Sequence, residues 1–173
     1  LAGVSGSTNG TGSASRFNNP RGVAVDSSGF IYVADTSHQK KKKISPGGTT
    51  VTTIAGLAGS PGSTDGTGSA ARFNGPMDLA VDISTNDIYV AADATIRKIT
   101  PGGVVTTFAG QAGTLAHLDG TGSAARFSGL YGLTVDSSSN IYVADSYAIR
   151  KITTGALVTT IAGLPKISGN VDG

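Results

Sequence analysis

Three copies of one sequence unit follow each other along the chain, and this internal repeat limits the folds that the chain can adopt. The copies are recognised by four short words in one fixed order: Ser-Ala-(Ser/Ala)-Arg-Phe at 13, 69 and 123, Val-Asp at 25, 81 and 135, Ile-Tyr-Val-Ala at 31, 88 and 141, and Val-Thr-Thr-(Ile/Phe)-Ala-Gly at 51, 105 and 158. Copies of the first two words are separated by 56 and 54 residues. A repeat of about this period is typical of solenoids and propellers, in which each copy folds as one supersecondary unit.

Each copy contains four short runs rich in β-branched and aromatic residues, which predict four strands. In the first copy three of these runs lie at 22–25, 31–34 and 51–54, and the remaining one is clearest in the last copy, at 148–152. The composition favours strands over helices, because 26 of the 173 residues are Gly and every acidic residue is Asp. Four such strands make a sheet that is too small to be stable alone. We therefore predict an all-β fold, a β-propeller in which four-stranded antiparallel blades stack around an axis.

A long Gly/Ser-rich connection joins the fourth strand of one copy to the first strand of the next. Its segment Thr-Gly-Ser-Ala-Ala-Arg-Phe at 67–73 predicts a single helical turn, capped by Ser or Thr. The aromatic ring at the end of this segment is expected to anchor the connection in the seam between neighbouring blades. The three rings are those of Phe17, Phe73 and Phe127.

The charge distribution argues against some classes of partner. Lys and Arg together number 13 against 11 acidic residues, and a net charge of +2 does not by itself indicate a polyanion partner. Lysines cluster at 40–43, where Lys41 takes the place of Ile96 and Ile149 in the other copies. We expect this run to form a solvated, unusually exposed edge strand. No apolar run approaches the length that crosses a bilayer, so we expect no membrane insertion, and the absence of Cys is compatible with export.

The repeated words resemble the NHL-repeat β-propeller family, whose blades carry Gly-Val-Ala-Val-Asp, Ile-Tyr-Val-Ala-Asp and Ile-Arg-Lys-Ile strands. The connection Asp-Gly-Thr-Gly-Ser-Ala-Ala-Arg-Phe at 65–73 is similar to that of the long-loop variety in bacterial exported proteins. The resemblance covers essentially the whole chain. It implies a propeller fold and an extracellular or cell-envelope location. The resemblance does not imply one function, because family members include protein-binding, RNA-binding, sensory and enzymatic propellers.

Motifs that could hold a cofactor or a metal have simpler structural interpretations. Gly-x-Gly-x-x-Ala at 66–71 and 120–125 lacks the βαβ unit that dinucleotide binding requires. Each Asp-Gly pair offers one carboxylate per loop, whereas calcium needs several oxygen ligands. His38 and His117 have no counterparts in the other copies, and we expect both to face solvent. The Asp residues that end the first two strands are interpreted as turn formers: Asp26, Asp82, Asp136, Asp35 and Asp145. We predict no catalytic, cofactor-binding or metal site.

Positions that differ between the copies are the candidate binding residues, because the framework words barely change. Directly before the first strand the copies read Arg-Gly, Met-Asp and Tyr-Gly, at a place that a propeller sets beside its central channel. Arg, Met and Tyr are enriched at binding interfaces. The turn after the second strand also differs. The candidate partner-binding residues are Arg21, Met77, Asp78, Tyr131, His38 and Tyr147.

Three functions are compatible with these features. The one that we favour is a non-enzymatic extracellular scaffold that binds a protein or a surface glycan, such as an adhesin, an envelope protein or a filament component. A second is a propeller lyase or hydrolase whose catalytic residues lie in further blades. A third is an RNA-binding propeller, which a salt-dependent affinity for single-stranded RNA would identify.

The repeat boundaries divide the chain into one propeller segment with three units, 1–56, 57–110 and 111–163, and the start of a further connection at 164–173. Because propellers close with four to eight blades, we expect these three blades to be half of a six-bladed ring. The ring would be completed by further repeats of a longer chain, of which this is a mature or excised segment, or by a second copy associated head to tail.

Overall fold

A computed structural model describes residues 4–163, which form three antiparallel sheets of five strands each. The first sheet contains β1 (Gly10–Thr11), β2 (Pro20–Val25), β3 (Ile31–Asp35), β4 (Lys40–Ile44) and β5 (Thr50–Ala55). The second contains β6 (Gly66–Thr67), β7 (Asp78–Val81), β8 (Ile88–Ala92), β9 (Thr95–Ile99) and β10 (Val104–Gly110). The third contains β11 (Gly120–Thr121), β12 (Leu130–Val135), β13 (Ile141–Asp145), β14 (Ala148–Ile152) and β15 (Leu157–Ala162). The all-β propeller class is confirmed, and each sheet is one blade.

The number of strands in a blade differs from the prediction, which gave four. A two-residue strand from each connection pairs with the outermost long strand, as where β1 joins β5 through Gly10 opposite Val51 and Thr11 opposite Thr50. In every blade the order is then this short strand, followed by the fourth, third, second and first long strands. Each connection thus covers the outer edge of the blade that it leads into. Fewer backbone groups are left unpaired at that edge as a result.

Turn residues define where the strands end. Asp26 follows β2 and accepts hydrogen bonds at Oδ1 from the amides of Ser28 and Phe30, each 2.9 Å long, as predicted for a turn former. The repeated word Val-Thr-Thr-Ile-Ala-Gly ends in a glycine for a steric reason. Gly56 has a φ of +92°, and a Cβ atom there would collide with the carbonyl oxygen of Gln39.

Helical structure in the connections consists of single 3₁₀ turns, as predicted, at Gly12–Ala14, Gly68–Ala70 and Gly122–Ala124. Two further 3₁₀ turns, Thr36–His38 and Pro46–Gly48, lie in the hairpins of the first blade, where we predicted none. The predicted side-chain caps are wrong, because the threonines at the N-cap positions make no capping hydrogen bond. The following arginine holds the turn instead. In the second connection Arg72 Nη1 donates to the carbonyl oxygens of Ser69 and Ala71.

The hydrophobic core lies in the two seams between blades. The first seam packs Tyr32 and Ala34 of the first blade against Leu79 and Val90 of the second, with Phe73 fully buried among them. The second seam has the same plan, with Phe127 at the equivalent position. The prediction that these rings anchor the connections in the seams is confirmed for both. Phe17 is half-buried, since no described blade precedes the first.

Two ends of the propeller segment can be distinguished. Because neighbouring strands are antiparallel, the β2–β3 and β4–β5 turns at 26–30 and 45–49 and their equivalents lie together, at what we call the turn end. The β3–β4 turns, at 36–39 in the first blade, lie at the opposite, connection end, where each long connection also leaves one blade and enters the next. The strands β2, β7 and β12 are the innermost of their blades and lie side by side, as predicted.

Candidate functional site

The starts of the three innermost strands form the first candidate surface at the connection end. Arg21 is exposed, Met77 is half-buried, and the ring of Tyr131 is 62% exposed. Asp78 has a structural role here, because its Oδ2 accepts a hydrogen bond of 2.9 Å from the amide of Leu133 in the third blade. Gly22 of the first blade leaves room for the same carboxylate, since a Cβ atom at Gly22 would lie 2.5 Å from Asp78 Oδ1. Asp78 therefore links the inner strands of all three blades.

The histidines do not face solvent, and that prediction is wrong. The Nδ1 atom of His38 lies 3.0 Å from Asp35 Oδ2, in the turn after β3. The side chain of His117 is only 3% exposed, and its Nδ1 atom lies 3.3 Å from Asp145 Oδ2. Both rings pack against a buried carboxylate that sequence analysis assigned to a turn. Tyr147, the remaining candidate of this group, has an exposed side chain.

Asp35 and Asp145 are fully buried, and their assignment as turn formers is also wrong. Asp145 Oδ1 accepts hydrogen bonds from the amides of Ser128 and Gly129, at 2.8 and 2.9 Å, and so holds the incoming connection against the end of β13. Its Oδ2 accepts a hydrogen bond of 2.7 Å from Arg150 Nη1. In the first blade Asp35 accepts from the amide of Asn18 in the same way.

Cations on the third long strand hold the connections in place from the other side. Arg150 is fully buried and donates to the carbonyl oxygens of Leu118 and Arg126 as well as to the carboxylate of Asp119. Burial would raise the pKa of Asp119, but hydrogen bonds from Thr160 and Arg150 outweigh it and lower the pKa below its usual range. Arg97 makes the equivalent contacts in the second blade, to residues of the connection that precedes it.

The lysine run at 40–43 is not the exposed edge that we predicted. It forms β4, which lies between β3 and β5, and both Lys41 and Lys42 are fully buried. Lys42 stands at the position of Arg97 and Arg150, and its Nζ donates to three carbonyl oxygens of the first connection, those of Ser7, Thr8 and Arg16.

Lys41 is the least satisfied of the buried cations. Its Nζ lies 4.3 Å from the centroid of the Phe73 ring, and its one hydrogen bond, to the carbonyl oxygen of Lys40, is 3.5 Å long. Burial lowers the pKa of Lys41 well below its ordinary value, and the charge of Arg97 acts in the same direction against the charge of Asp35. Because no carboxylate lies within 4.0 Å of Nζ among the described residues and the charge of Arg97 is nearby, an ammonium buried at this position destabilises the fold.

Nothing in residues 4–163 covers the two outer blade faces, which we call the bare faces, and the repeat provides an internal comparison for them. Val23 on the first blade is 64% exposed, whereas Leu79 at the same position in the second blade is 2% exposed in the first seam. On the third blade Ile149 is 41% exposed, whereas its equivalent Ile96 is fully buried in the second seam. Tyr142 is half-buried for the same reason, whereas its equivalents Tyr32 and Tyr89 are buried in the seams. These faces have the residue types of a seam without the neighbouring blade.

Shallow grooves run along both bare faces and reach two of the candidate residues. A groove of about 320 Å³ on the first blade is lined by Phe17, Val33 and the candidate Arg21. A groove of about 230 Å³ on the third blade is lined by Ile149 and the candidate Tyr147. The six candidates therefore share the connection end, but two of them also border the blade faces.

Metal and membrane motifs are absent from the described part of the chain. Between residues 4 and 163 no three His, Cys, Asp or Glu side chains come together in a way that could hold a metal ion. In the same range no helix has the length and apolarity needed to span a bilayer.

The buried cations are the residues that sequence analysis missed. A signal for them was present, because Lys42, Arg97 and Arg150 occupy one repeat position, and repetition of a basic residue in a strand suggests a structural role. His117 and Lys41 gave no such signal, since each differs from the residues at the same position in the other copies.

Comparisons with known proteins agree with this architecture. The teneurin NHL domain family matches residues 5–114. No curated protein sequence matches the chain. A Bacteroides thetaiotaomicron protein of unknown function is 26% identical with a TM-score of 0.71, and the match covers 89% of this chain and 38% of that one.

Two further solved structures share the fold. An auxiliary nutrient binding protein from Bacteroides thetaiotaomicron is 23% identical with a TM-score of 0.63, over 71% of this chain and 34% of that one. Virginiamycin B lyase from Staphylococcus aureus is 18% identical with a TM-score of 0.56, over 82% and 40%. The chain thus spans well under half of each of these solved chains, and the fold that they share occurs in both a binding protein and a lyase.

Proposed function

Because this chain belongs to the teneurin NHL domain family, we propose that it is a segment of an extracellular or cell-envelope propeller that acts as a non-enzymatic binding scaffold. Its partner is a protein or a surface glycan. The observation that carries the proposal is the pair of bare blade faces, whose equivalents in the two seams are buried. A blade in this fold is stable only between neighbours, so these three blades are built to work within a larger assembly.

Further blades cover the two bare faces in the proposed assembly, and they come from a longer chain or from a second copy joined head to tail. A two-fold pair of three-blade halves would close a ring of six. The apolar residues Val23 and Ile149 would then be buried in the way that their counterparts Leu79 and Ile96 are buried in the seams. A non-closing contact would give a fibre instead.

The isolated 173-residue chain is expected to self-associate, and Val23→Asp should weaken that association by at least about tenfold, because it places an unpaired carboxylate in the interface. Sedimentation equilibrium measures the association constants of the parent chain and of the variant. The matched control is Ser27→Asp, which adds the same charge to an exposed turn residue on the same blade and should change nothing. A stable, well-folded monomer at low concentration would contradict both forms of the assembly.

The partner surface of the proposal lies at the starts of the innermost strands, where Arg21 and Tyr131 are exposed. Within an otherwise constant framework these are the positions that vary, and exposed Arg and Tyr side chains carry much of the binding energy in interfaces. The auxiliary nutrient binding protein with this fold supports a binding role.

Tyr131→Ala is expected to weaken binding to an extracellular protein or surface glycan identified on an array by about tenfold or more. Ser137→Ala, an exposed residue at the turn end, is the control and should leave the affinity unchanged. Strong binding to single-stranded RNA that falls steeply with salt concentration would replace this proposal with the RNA-binding alternative. Turnover of an array glycan would replace it with the enzymatic one.

A further inference from the structure

A cavity of about 260 Å³ opens at the turn end of the first seam, away from the partner surface proposed above. The first blade contributes Phe30, Tyr32 and Lys43 to its lining, and the second contributes Asn86, Ile88 and Thr100. Its walls therefore combine two aromatic rings, one cation, an amide and hydroxyl groups, together with the carboxylate of Asp26. The volume lies just below the range of about 300–1,000 Å³ that is common for sites of drug-sized ligands, which suits a ligand with a single ring.

Lys43 brings a positive charge without a direct ion-pair partner into this cavity, although its field reaches Asp26 and contributes to lowering the pKa of that carboxyl. Its Nζ lies 3.7 Å from the centroid of the Phe30 ring and 5.4 Å from that of Tyr32, and among the described residues no carboxylate lies within 4.0 Å of it. The carboxylate of Asp26 also lines the cavity but is already occupied. It accepts hydrogen bonds from the amides of Ser28 and Phe30 and from the hydroxyl of Tyr32, all of 2.9 Å.

The second seam shows what the same position looks like when it is internally satisfied. There Asp87 stands in place of Phe30, and its Oδ2 lies 2.6 Å from Nζ of Lys98, the counterpart of Lys43. A hydrogen bond of 3.1 Å between the hydroxyls of Ser84 and Ser139 crosses that seam. Because the first blade has Phe30 where the second blade has Asp87, Lys43 lacks the ion-pair partner that Lys98 has.

Tyr32 adds no negative charge to the cavity beyond that of Asp26. Burial and the hydrogen bond to Asp26 raise the pKa of Tyr32 to about 12, so its hydroxyl stays neutral and protonated at physiological pH. The remaining walls are apolar, from Phe30 and Ile88, or neutral and polar, from Asn86 and Thr100.

We propose that this first-seam cavity binds a carboxylated sugar of the uronic acid class. The carboxylate pairs with the Lys43 ammonium on the side away from the Phe30 ring, and the ring hydroxyls contact Asn86 and Thr100. The apolar face of the sugar lies against Phe30 and Ile88, as pyranose rings do with apolar and aromatic surfaces in concave sites. This site does not depend on the partner surface at the connection end, so an experiment can contradict one of the two proposals and leave the other intact.

The test is calorimetric titration of the full chain with glucuronate, with glucose as the neutral ring and inorganic phosphate as the plain anion. Glucuronate is expected to bind at least about tenfold more tightly than either, since a charge-assisted contact and the ring contacts are needed together. Equal binding of phosphate, or no binding of glucuronate, would overturn the proposal.

Two variants and one control locate the site. Lys43→Met removes the charge, and Phe30→Asp restores the acid of the second seam, so each should weaken glucuronate binding by about tenfold or more. Lys151→Met removes the equivalent lysine from the third blade and should leave binding unchanged. If both Lys43→Met and Phe30→Asp bind as the parent does, or if Lys151→Met weakens binding equally, the site is not this cavity. Thermal melting of each variant confirms that it is folded.

Discussion

Lys41→Ile should raise the free energy of unfolding by roughly 2–4 kcal/mol at pH 7. The substitution removes a fully buried amine that has no ion-pair partner within 4.0 Å among the described residues, and it adds apolar surface to a seam. Room for the new side chain exists, because Ile96 occupies the same repeat position in the next blade and is fully buried there. Urea denaturation followed by circular dichroism measures the change.

The increase in the free energy of unfolding caused by Lys41→Ile should depend on pH in a defined direction. The pKa of Lys41 is lowered in the folded state relative to the ordinary value of 10.5, so the unfolded chain binds more protons between these two values. Parent stability therefore rises with pH across that window, and the penalty of the buried charge is lost above about 10.5. Below the lowered pKa the penalty is fully present. The advantage of Lys41→Ile is thus largest below the lowered pKa and shrinks as the pH approaches 10.5.

Lys40→Ile is the matched control, because it makes the same chemical change one position earlier, where the side chain is half-buried. It should alter the free energy of unfolding by less than about 0.5 kcal/mol at any pH. A Lys41→Ile protein no more stable than its parent, or a gain that persists unchanged up to pH 10.5, would show that Lys41 is solvated in the folded state.

The blade architecture could be predicted because it depends on local signals that occur three times. Turn carboxylates such as Asp26, the β-rich words and the seam phenylalanines each act over a few residues, so their roles can be read from the sequence. The fifth strand could not be predicted, because Gly10–Thr11 is too short to show any periodicity. It forms only because β5 offers an unpaired edge.

Burial of the charged residues depends on the assembly of strands and blades, which local patterns do not encode. Four consecutive lysines indicate an exposed segment, yet β4 is an interior strand and the second blade covers Lys41. The same limit applies to His117, which lies in a polar connection but folds against Asp145. Of the six candidate residues, His38 and Asp78 have structural contacts in addition, and the binding role of all six stays a prediction.

Asp145→Ala should lower the free energy of unfolding by about 3–5 kcal/mol, the cost of removing one partner of a buried ion pair. The change leaves the guanidinium of Arg150 buried without its nearest carboxylate, and it leaves the amides of Ser128 and Gly129 without their acceptor. Asp119→Ala is the matched control, because it removes the other carboxylate of the same Arg150. That side chain is about half exposed, so its loss should cost no more than about 1 kcal/mol.

The two variants together decide which carboxylate around Arg150, the buried Asp145 or the half-exposed Asp119, contributes more to holding the third connection. Urea denaturation gives both free energies, and hydrogen exchange at the amides of Ser128 and Gly129 reports the local effect. We expect exchange there to accelerate strongly in Asp145→Ala and to change little in Asp119→Ala. Equal losses of stability in the two variants would contradict this, because they would mean that Arg150 gains no more from its fully buried partner than from its exposed one.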